Sequence, residues 1–105
     1  MQYVKLGNSD LTVSRISMGG MSLGVGHAEN VRLIHHALDL GVNMLDTADL
    51  YDKGVNEEIV GKAIKGRRDK VILATKVGNQ WRADGSGWDW NPSKAYIKQA
   101  VHQSL

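Results

Sequence analysis

The sequence predicts an α/β protein, a (β/α)8 barrel of which this chain supplies an N-terminal hairpin and the first three strand–helix units. Three observations carry that expectation. Short apolar runs alternate with amphipathic helical stretches three times over, the pattern a parallel sheet needs because each crossover must return the chain. Two of the runs, Val42–Ala48 and Val71–Lys76, are brief, continuous and bounded by turn or helix signals, as buried strands are. Polar residues then close or follow these runs, at the strand ends where barrel loops converge and chemistry collects. A complete barrel needs about 250 residues. The 105 residues here read as the N-terminal part of one such domain, with a hairpin over 1–14 and three units over 15–105, the last helix incomplete.

Taken in order, Gln2–Lys5 and Leu11–Val13 are expected as two short strands around a turn at Gly7-Asn8-Ser9-Asp10, whose residue types suit a tight reversal. Arg15–Met18 is expected as the first barrel strand, followed by a glycine-rich loop from Gly19 to Gly26. A dinucleotide fingerprint would need G-x-G-x-x-G. Gly24-Val25-Gly26 is followed by His27, Ala28 and Glu29, so the third glycine fails. Ala28–Leu40 has helical periodicity, with Val31, Leu33, Ile34, Ala37, Leu38 and Leu40 on one half of the wheel. Gly41 is its expected stop. His35 and His36 lie off that arc. Adjacent in sequence, they point about 100° apart and make no two-histidine metal site by helical spacing, so both are expected to be solvated.

Asn56 is the expected N-cap of a second helix, with Glu57 and Glu58 in its first turn and Ile59, Val60, Ala63 and Ile64 as its apolar stripe. Gly66 ends it. Lys62, Lys65, Arg67, Arg68 and Lys70 gather at its C-terminal end, where cations complement the helix dipole; anion binding is the lesser alternative. Val77–Asn91 is expected as a long loop with Asp84-Gly85-Ser86-Gly87 as a turn, and loops of that length are often functional. Its three tryptophans could wall a pocket for an apolar or aromatic substrate or anchor the loop to the body. Trp81, nearest Lys76, is the candidate for the wall. Ser93 is the expected N-cap of a third helix.

Asp46, Tyr51 and Lys76 carry the chemistry. A lysine that ends a strand is usually solvated, and an aspartate after a strand is often a turn or cap residue. Brought together in a partly buried mouth, however, the three would build a tuned acid. A free phenol, with a pKa near ~10, is a poor donor at neutral pH. A neighbouring ammonium favours the phenolate and so strengthens the acid. A hundredfold gain needs roughly 3 kcal/mol of differential interaction, which a close lysine in a partly desolvated site can supply. Asp46 would keep Lys76 charged and in place. Proton donation to a carbonyl oxygen is the natural task of such a group.

Leu45-Asp46-Thr47-Ala48-Asp49-Leu50-Tyr51, Asn56-Glu57-Glu58-Ile59-Val60-Gly61 and Ala74-Thr75-Lys76, in that order, resemble the aldo-keto reductases. The resemblance covers essentially the whole chain and is nearest to bacterial oxidoreductase members. It implies Tyr51 as the acid, Lys76 as its tuner and Asp46 as their partner. It also implies that the hairpin crosses the bottom of the barrel and that Gly19, Gly20 and Met21, with Asp46, line the nicotinamide side of an NADP(H) site. The substrate implied is a small carbonyl compound. The family's catalytic histidine, after the fourth strand, has no counterpart, since the chain stops before it and His102 lies in the wrong element.

Composition excludes several other classes. With 13 basic and 11 acidic residues the net charge is +2, too balanced to point to nucleic acid. There is no cysteine, so no disulfide framework and no thiolate metal site, which fits a reducing cytoplasm. No run approaches a membrane span, and the N-terminus lacks a signal-peptide core. Two function classes remain. One is an NADPH-dependent reductase of aldehydes or ketones; the alternative is a non-catalytic cofactor-binding or regulatory module on the same scaffold. Retention of Asp46, Tyr51 and Lys76 favours the enzyme, while the missing histidine favours inactivity of residues 1–105 by themselves.

Overall fold

The computed structural model describes residues 1–105. Strands β1 (Tyr3–Lys5) and β2 (Thr12–Ser14) pair antiparallel, with Val4 opposite Val13. Three parallel strands follow: β3 (Met18–Gly19), β4 (Met44–Asp46) and β5 (Ile72–Ala74), in the spatial order β3-β4-β5. Helix α1 (His27–Asp39) connects the first two and α2 (Val55–Ile64) the last two. After β5 come β6 (Asn79–Trp81) and β7 (Trp88–Trp90), then α3 (Lys94–Ser104).

The core lies between the sheet and the α1–α2 pair. Ile34 of α1, Leu45 of β4, Ile59, Val60, Ala63 and Ile64 of α2, and Val71 form one buried cluster, with Met18, Leu23, Val31, Leu38, Val55 and Leu73 packed against it. The Ile59/Val60/Ala63/Ile64 stripe is the one read from the sequence. Of the six apolar residues grouped on the first helix, Ile34 is fully buried, whereas Leu33 and Leu40 are exposed. The helix is covered on one narrow face only. Gly41 ends it as expected: its backbone adopts φ +98°, and a Cβ there would stand 2.9 Å from the Met1 side chain.

The first hairpin is stitched to the amino-terminal end of β4. Ser14 N donates to Asn43 Oδ1 at 2.7 Å, Asn43 N donates to Ser14 Oγ at 3.1 Å, and Asn43 Nδ2 donates to the Thr12 carbonyl at 3.0 Å. The hydroxyl of Tyr3 adds a bond to the Gly41 carbonyl at 2.8 Å.

Several expectations need correction. The first barrel strand is the Met18–Gly19 pair and not Arg15–Met18, because only these two residues find a partner strand, opposite Leu45 and Asp46. The segment expected as a loop over Val77–Asn91 contains a β-hairpin, with Asn79 opposite Trp90 and Trp81 opposite Trp88. Arg82 closes it across the turn with a two-pronged bond to Asp89, at 3.0 and 2.8 Å, that holds the Asp89 carboxyl below its ordinary range. Asn56 is not an N-cap. Gly54 occupies that position, and Asn56 lies inside the helix, wholly buried. His35 is not simply solvated either, since its Nε2 lies 2.8 Å from the Ala63 carbonyl and docks α1 on α2.

The cationic cluster is largely spent on structure. Arg67 pairs with Asp39 at 3.1 Å, Arg68 donates to the Val71 carbonyl at 2.9 Å, and Lys62 lies 2.8 Å from His27 Nδ1. Ser93 caps α3 as expected by accepting from Tyr96 N. No helix is long and apolar enough to cross a membrane.

Candidate active site

Parallel register sets the site. Gly19 lies opposite Asp46, and Asp46 opposite Ala74, so these three positions are level at the carboxyl end of the sheet. Lys76 follows two residues beyond Ala74. Its Nζ donates to Asp46 Oδ1 and to the Thr47 carbonyl, each at 2.8 Å. It also lies over the Tyr51 ring, 5.3 Å from the centroid, within cation–π range. The three residues singled out from the sequence therefore meet.

The electrostatics follow from that geometry. Partial burial works against the Lys76 ammonium. The bond and charge of Asp46, with the nearby Tyr51, outweigh it and raise the lysine above its ordinary value. Lys76 is a fixed cation at neutral pH. The ion pair is half exposed, with side chains 50% and 42% accessible, so its value is in placement more than in stability.

Tyr51 opens a tight 3-10 turn, Tyr51–Gly54, that leads into α2. Asp52 and Lys53 there adopt left-handed backbone, φ 50° and 54°, unusual for residues with a Cβ. Such strain persists only where neighbours over-determine it. Here Trp81 does so: its Nε1 donates to the Leu50 carbonyl at 3.1 Å, and Lys53 Nζ lies over its ring at 5.1 Å from the centroid. Trp81 is half-buried against the loop that carries Tyr51. Trp88 and Trp90 meet edge to face at 5.9 Å and stay exposed, Trp90 to 72%.

A small recess of about 100 Å³ lies between Ala48, Asp49, Leu50, Tyr51, Lys76, Val77 and Asn79. A larger hollow of about 540 Å³, lined by Tyr3, Asn43, Arg67 and Lys70 among others, opens at the opposite end of the sheet and holds no candidate residue. Two residues of the small recess went unnoticed in the sequence. Asn79 Oδ1 is buried there without a hydrogen-bond partner. Asp49 has its carboxyl pushed up by burial and by the charge of Glu57, against the opposing Leu50 amide. Neither has a spacing signature, since both depend on the fold of the hairpin and α2.

The residues expected on a cofactor face divide. Gly19 is open, and a Cβ placed there would meet nothing within 4 Å; Met21 is likewise exposed. Gly20 faces inward. Its N donates to the Asp46 carbonyl at 2.7 Å, its carbonyl accepts from Asn56 Nδ2 at 2.7 Å, and a Cβ would meet Asn56 Oδ1 at 2.5 Å. Glycine is required at 20 by close approach. Gly19 is level with Asp46 and, with the exposed Met21 two residues beyond it, leaves that face open. Among the described residues no group of three His, Asp or Glu side chains is placed to hold a metal ion.

Asp46, Tyr51 and Lys76 thus gather at the carboxyl end of a parallel sheet of βα units. Residues 15–105 match the aldo/keto reductase family, and the chain belongs to it. Among its relatives, the uncharacterized oxidoreductase YqkF of Bacillus subtilis (strain 168) is 55% identical over 105 residues, all of this chain and 34% of that protein. The aldo-keto reductase YhdN of the same organism is 40% identical over 113 residues, again 34% of its length. In structure, the chain superposes on the holo form of aldo-keto reductase AKR11C1 from Bacillus halodurans with a TM-score of 0.95 at 55% identity, covering 100% of this chain and 35% of that one. An aldo/keto reductase from Klebsiella pneumoniae, solved with NADP and acetate, matches with a TM-score of 0.73 at 33% identity, over 90% of this chain and 31% of that one. The chain thus spans about a third of the length of the relatives it matches, and its hairpin and three βα units are those of their (β/α)8 barrel.

Proposed function

We propose that these residues form the N-terminal part of a complete barrel that reduces aldehydes or ketones to alcohols with NADPH, and that Tyr51 is its proton donor. The observation that carries the reading is the contact of Lys76 with both Asp46 and the face of Tyr51. A phenol beside a fixed cation, at the same sheet end as the open Gly19, suits carbonyl reduction, where the carbonyl oxygen gains a proton as its carbon gains hydride. NADPH supplies that hydride when bound. Gly19, Met21 and Asp46 would line its nicotinamide side, a role their open position at the sheet's end supports.

The chain's own residues do the rest. The Tyr51 hydroxyl donates its proton to the carbonyl oxygen. The Lys76 charge stabilises the phenolate left behind, and Asp46 together with the Thr47 carbonyl fixes that charge. Trp81 offers its ring as a wall for an apolar part of the substrate. The histidine of the family pattern would come from the remainder of the barrel.

Tyr51→Phe in the complete barrel tests this. It deletes one hydroxyl and keeps the ring. Turnover with NADPH and a panel of aldehydes should fall at least ~10²–10⁴-fold, the range for a positioned general acid, while cofactor affinity stays nearly constant. Retained turnover with intact binding would remove Tyr51 from the mechanism.

A further inference from the structure

The most enclosed polar cluster in the molecule lies just beneath the proposed site and takes no part in the chemistry assigned above. Asn56 is 0% exposed and Thr47 1% exposed. Thr47 Oγ1 donates to Asn56 Oδ1 at 2.6 Å, and Asn56 Nδ2 donates to the Gly20 carbonyl at 2.7 Å. Gly20 N in turn donates to the Asp46 carbonyl at 2.7 Å, and the Thr47 carbonyl accepts from Lys76 Nζ at 2.8 Å. The carboxamide of Asn56 therefore joins three elements: the turn after β3, the end of β4, and α2.

Burial makes this bridge consequential. The two bonds of the Asn56 carboxamide are both buried, so a lost partner there leaves a buried polar atom unsatisfied. The bridge is also closely fitted, because the absence of a Cβ on Gly20 is what lets Asn56 Oδ1 approach. One of its arms ends on the glycine turn of the proposed cofactor face. The other ends on the residue whose main chain anchors Lys76.

We infer that Asn56 is a positioning residue that couples the cofactor-face turn at Gly20 to the Lys76 anchor at Thr47, so that the turn and the proton donor are held in one register. The inference rests on the reading of Tyr51 and Lys76 given above. A shift of about 1 Å at a positioned group can cost about 10²-fold in rate, so a small loosening of Thr47 should register in turnover.

The test compares four variants of the complete barrel by steady-state rates, cofactor titration by fluorescence quenching, pH–rate profiles and melting. Asn56→Ala cuts both arms and should lower kcat and weaken NADPH binding, each at least ~10-fold. Thr47→Val keeps the shape but cuts one arm. It should lower kcat by about 10-fold and move the alkaline limb of the pH–rate profile, with NADPH affinity within about twofold. Thr47→Ser restores the hydroxyl and should recover most of the loss. If Asn56→Ala fails to fold, the Thr47 pair carries the test. Lower melting temperatures with unchanged kcat, affinity and pH profile in the folded fraction would make Asn56 merely structural and overturn the coupling. Tyr51→Phe separates the two ideas. Retained turnover there sinks the acid reading and the coupling with it, whereas an inactive Tyr51→Phe beside a normal Thr47→Val sinks the coupling alone.

Discussion

The indole Nε1 of Trp81 donates to the main-chain carbonyl of Leu50 at 3.1 Å, the residue immediately before Tyr51. Trp81 belongs to β6, on the hairpin beyond Lys76, and Leu50 to the loop beyond Asp46. This bond ties the two candidate-bearing loops directly. It also steadies a turn in which Asp52 and Lys53 hold left-handed backbone, a conformation costing roughly 1–2 kcal/mol per residue.

Trp81→Phe separates tethering from substrate contact, because it deletes the N–H and keeps an aromatic ring. A net hydrogen-bond worth of about 1 kcal/mol corresponds to a roughly fivefold fall in kcat. KM should change less than about twofold if the ring alone meets substrate. Trp81→Ala removes the wall as well and should raise KM for bulky aldehydes. Steady-state kinetics on both variants decide it, and an unaltered kcat in Trp81→Phe would deny the tether any catalytic role.

Residues 1–105 by themselves should neither reduce carbonyls nor behave as a monomer. The three-stranded parallel sheet has two unpaired edges, and Ile16, Val25 and Leu40 are each more than 60% exposed. Open parallel edges and wet apolar residues favour association. Size-exclusion chromatography with light scattering should show oligomers or aggregate. A monodisperse, cooperatively melting monomer would contradict this.

Asp49 gives a stability prediction with a definite sign. Burial and then Glu57 raise its folded-state pKa above the ordinary 3.8. Its ionised form is therefore disfavoured by folding, and the folded barrel gains stability relative to the unfolded chain as pH falls through the raised value toward 3.8. Asp49→Asn should raise the melting temperature at pH 7 by a small margin, and that margin should shrink as pH is lowered through the window. A margin independent of pH would mean that the carboxylate is not the cause.

Much of this was legible in the sequence where composition and periodicity act alone. Leu45, Val71 and Leu73 fall in the core as expected, because short apolar runs are buried when the chain folds. Asp46 and Lys76 were expected to meet because parallel register puts strand ends side by side, and the resemblance to the aldo-keto reductases singled out these two with Tyr51. Asn56 was misread because an asparagine before two glutamates has the composition of a cap; only the turn at Tyr51–Gly54, which starts the helix earlier, carries it inside. The second hairpin had a signal that was passed over. Asn79-Gln80-Trp81 and Trp88-Asp89-Trp90 flank an Asp84-Gly85 turn, a hairpin pattern with a longer loop. His35 offered no signal at all, since its partner is a backbone carbonyl on another helix.

Lys76→Met tests the electrostatic half of the acid in the complete barrel. The substitution keeps a long apolar stem and removes the charge that Asp46 Oδ1 and the Thr47 carbonyl both contact. Two consequences follow. Turnover should fall, by at least ~10²-fold if the cation supplies about 3 kcal/mol to the developing phenolate. The alkaline limb of the pH–rate profile should also change, because the ammonium that Asp46 holds above its ordinary range is no longer there to lose its proton. Lys76→Arg retains charge but cannot place it identically, since a planar guanidinium replaces a compact ammonium, so it should recover the pH profile better than the rate. Asp46→Asn should resemble a milder Lys76→Met, because it leaves the ammonium in place but removes its charged anchor. A rate loss in Lys76→Met with an unmoved alkaline limb would show that the lysine orients the site without tuning the proton donor. An unchanged rate would take it out of the reaction altogether.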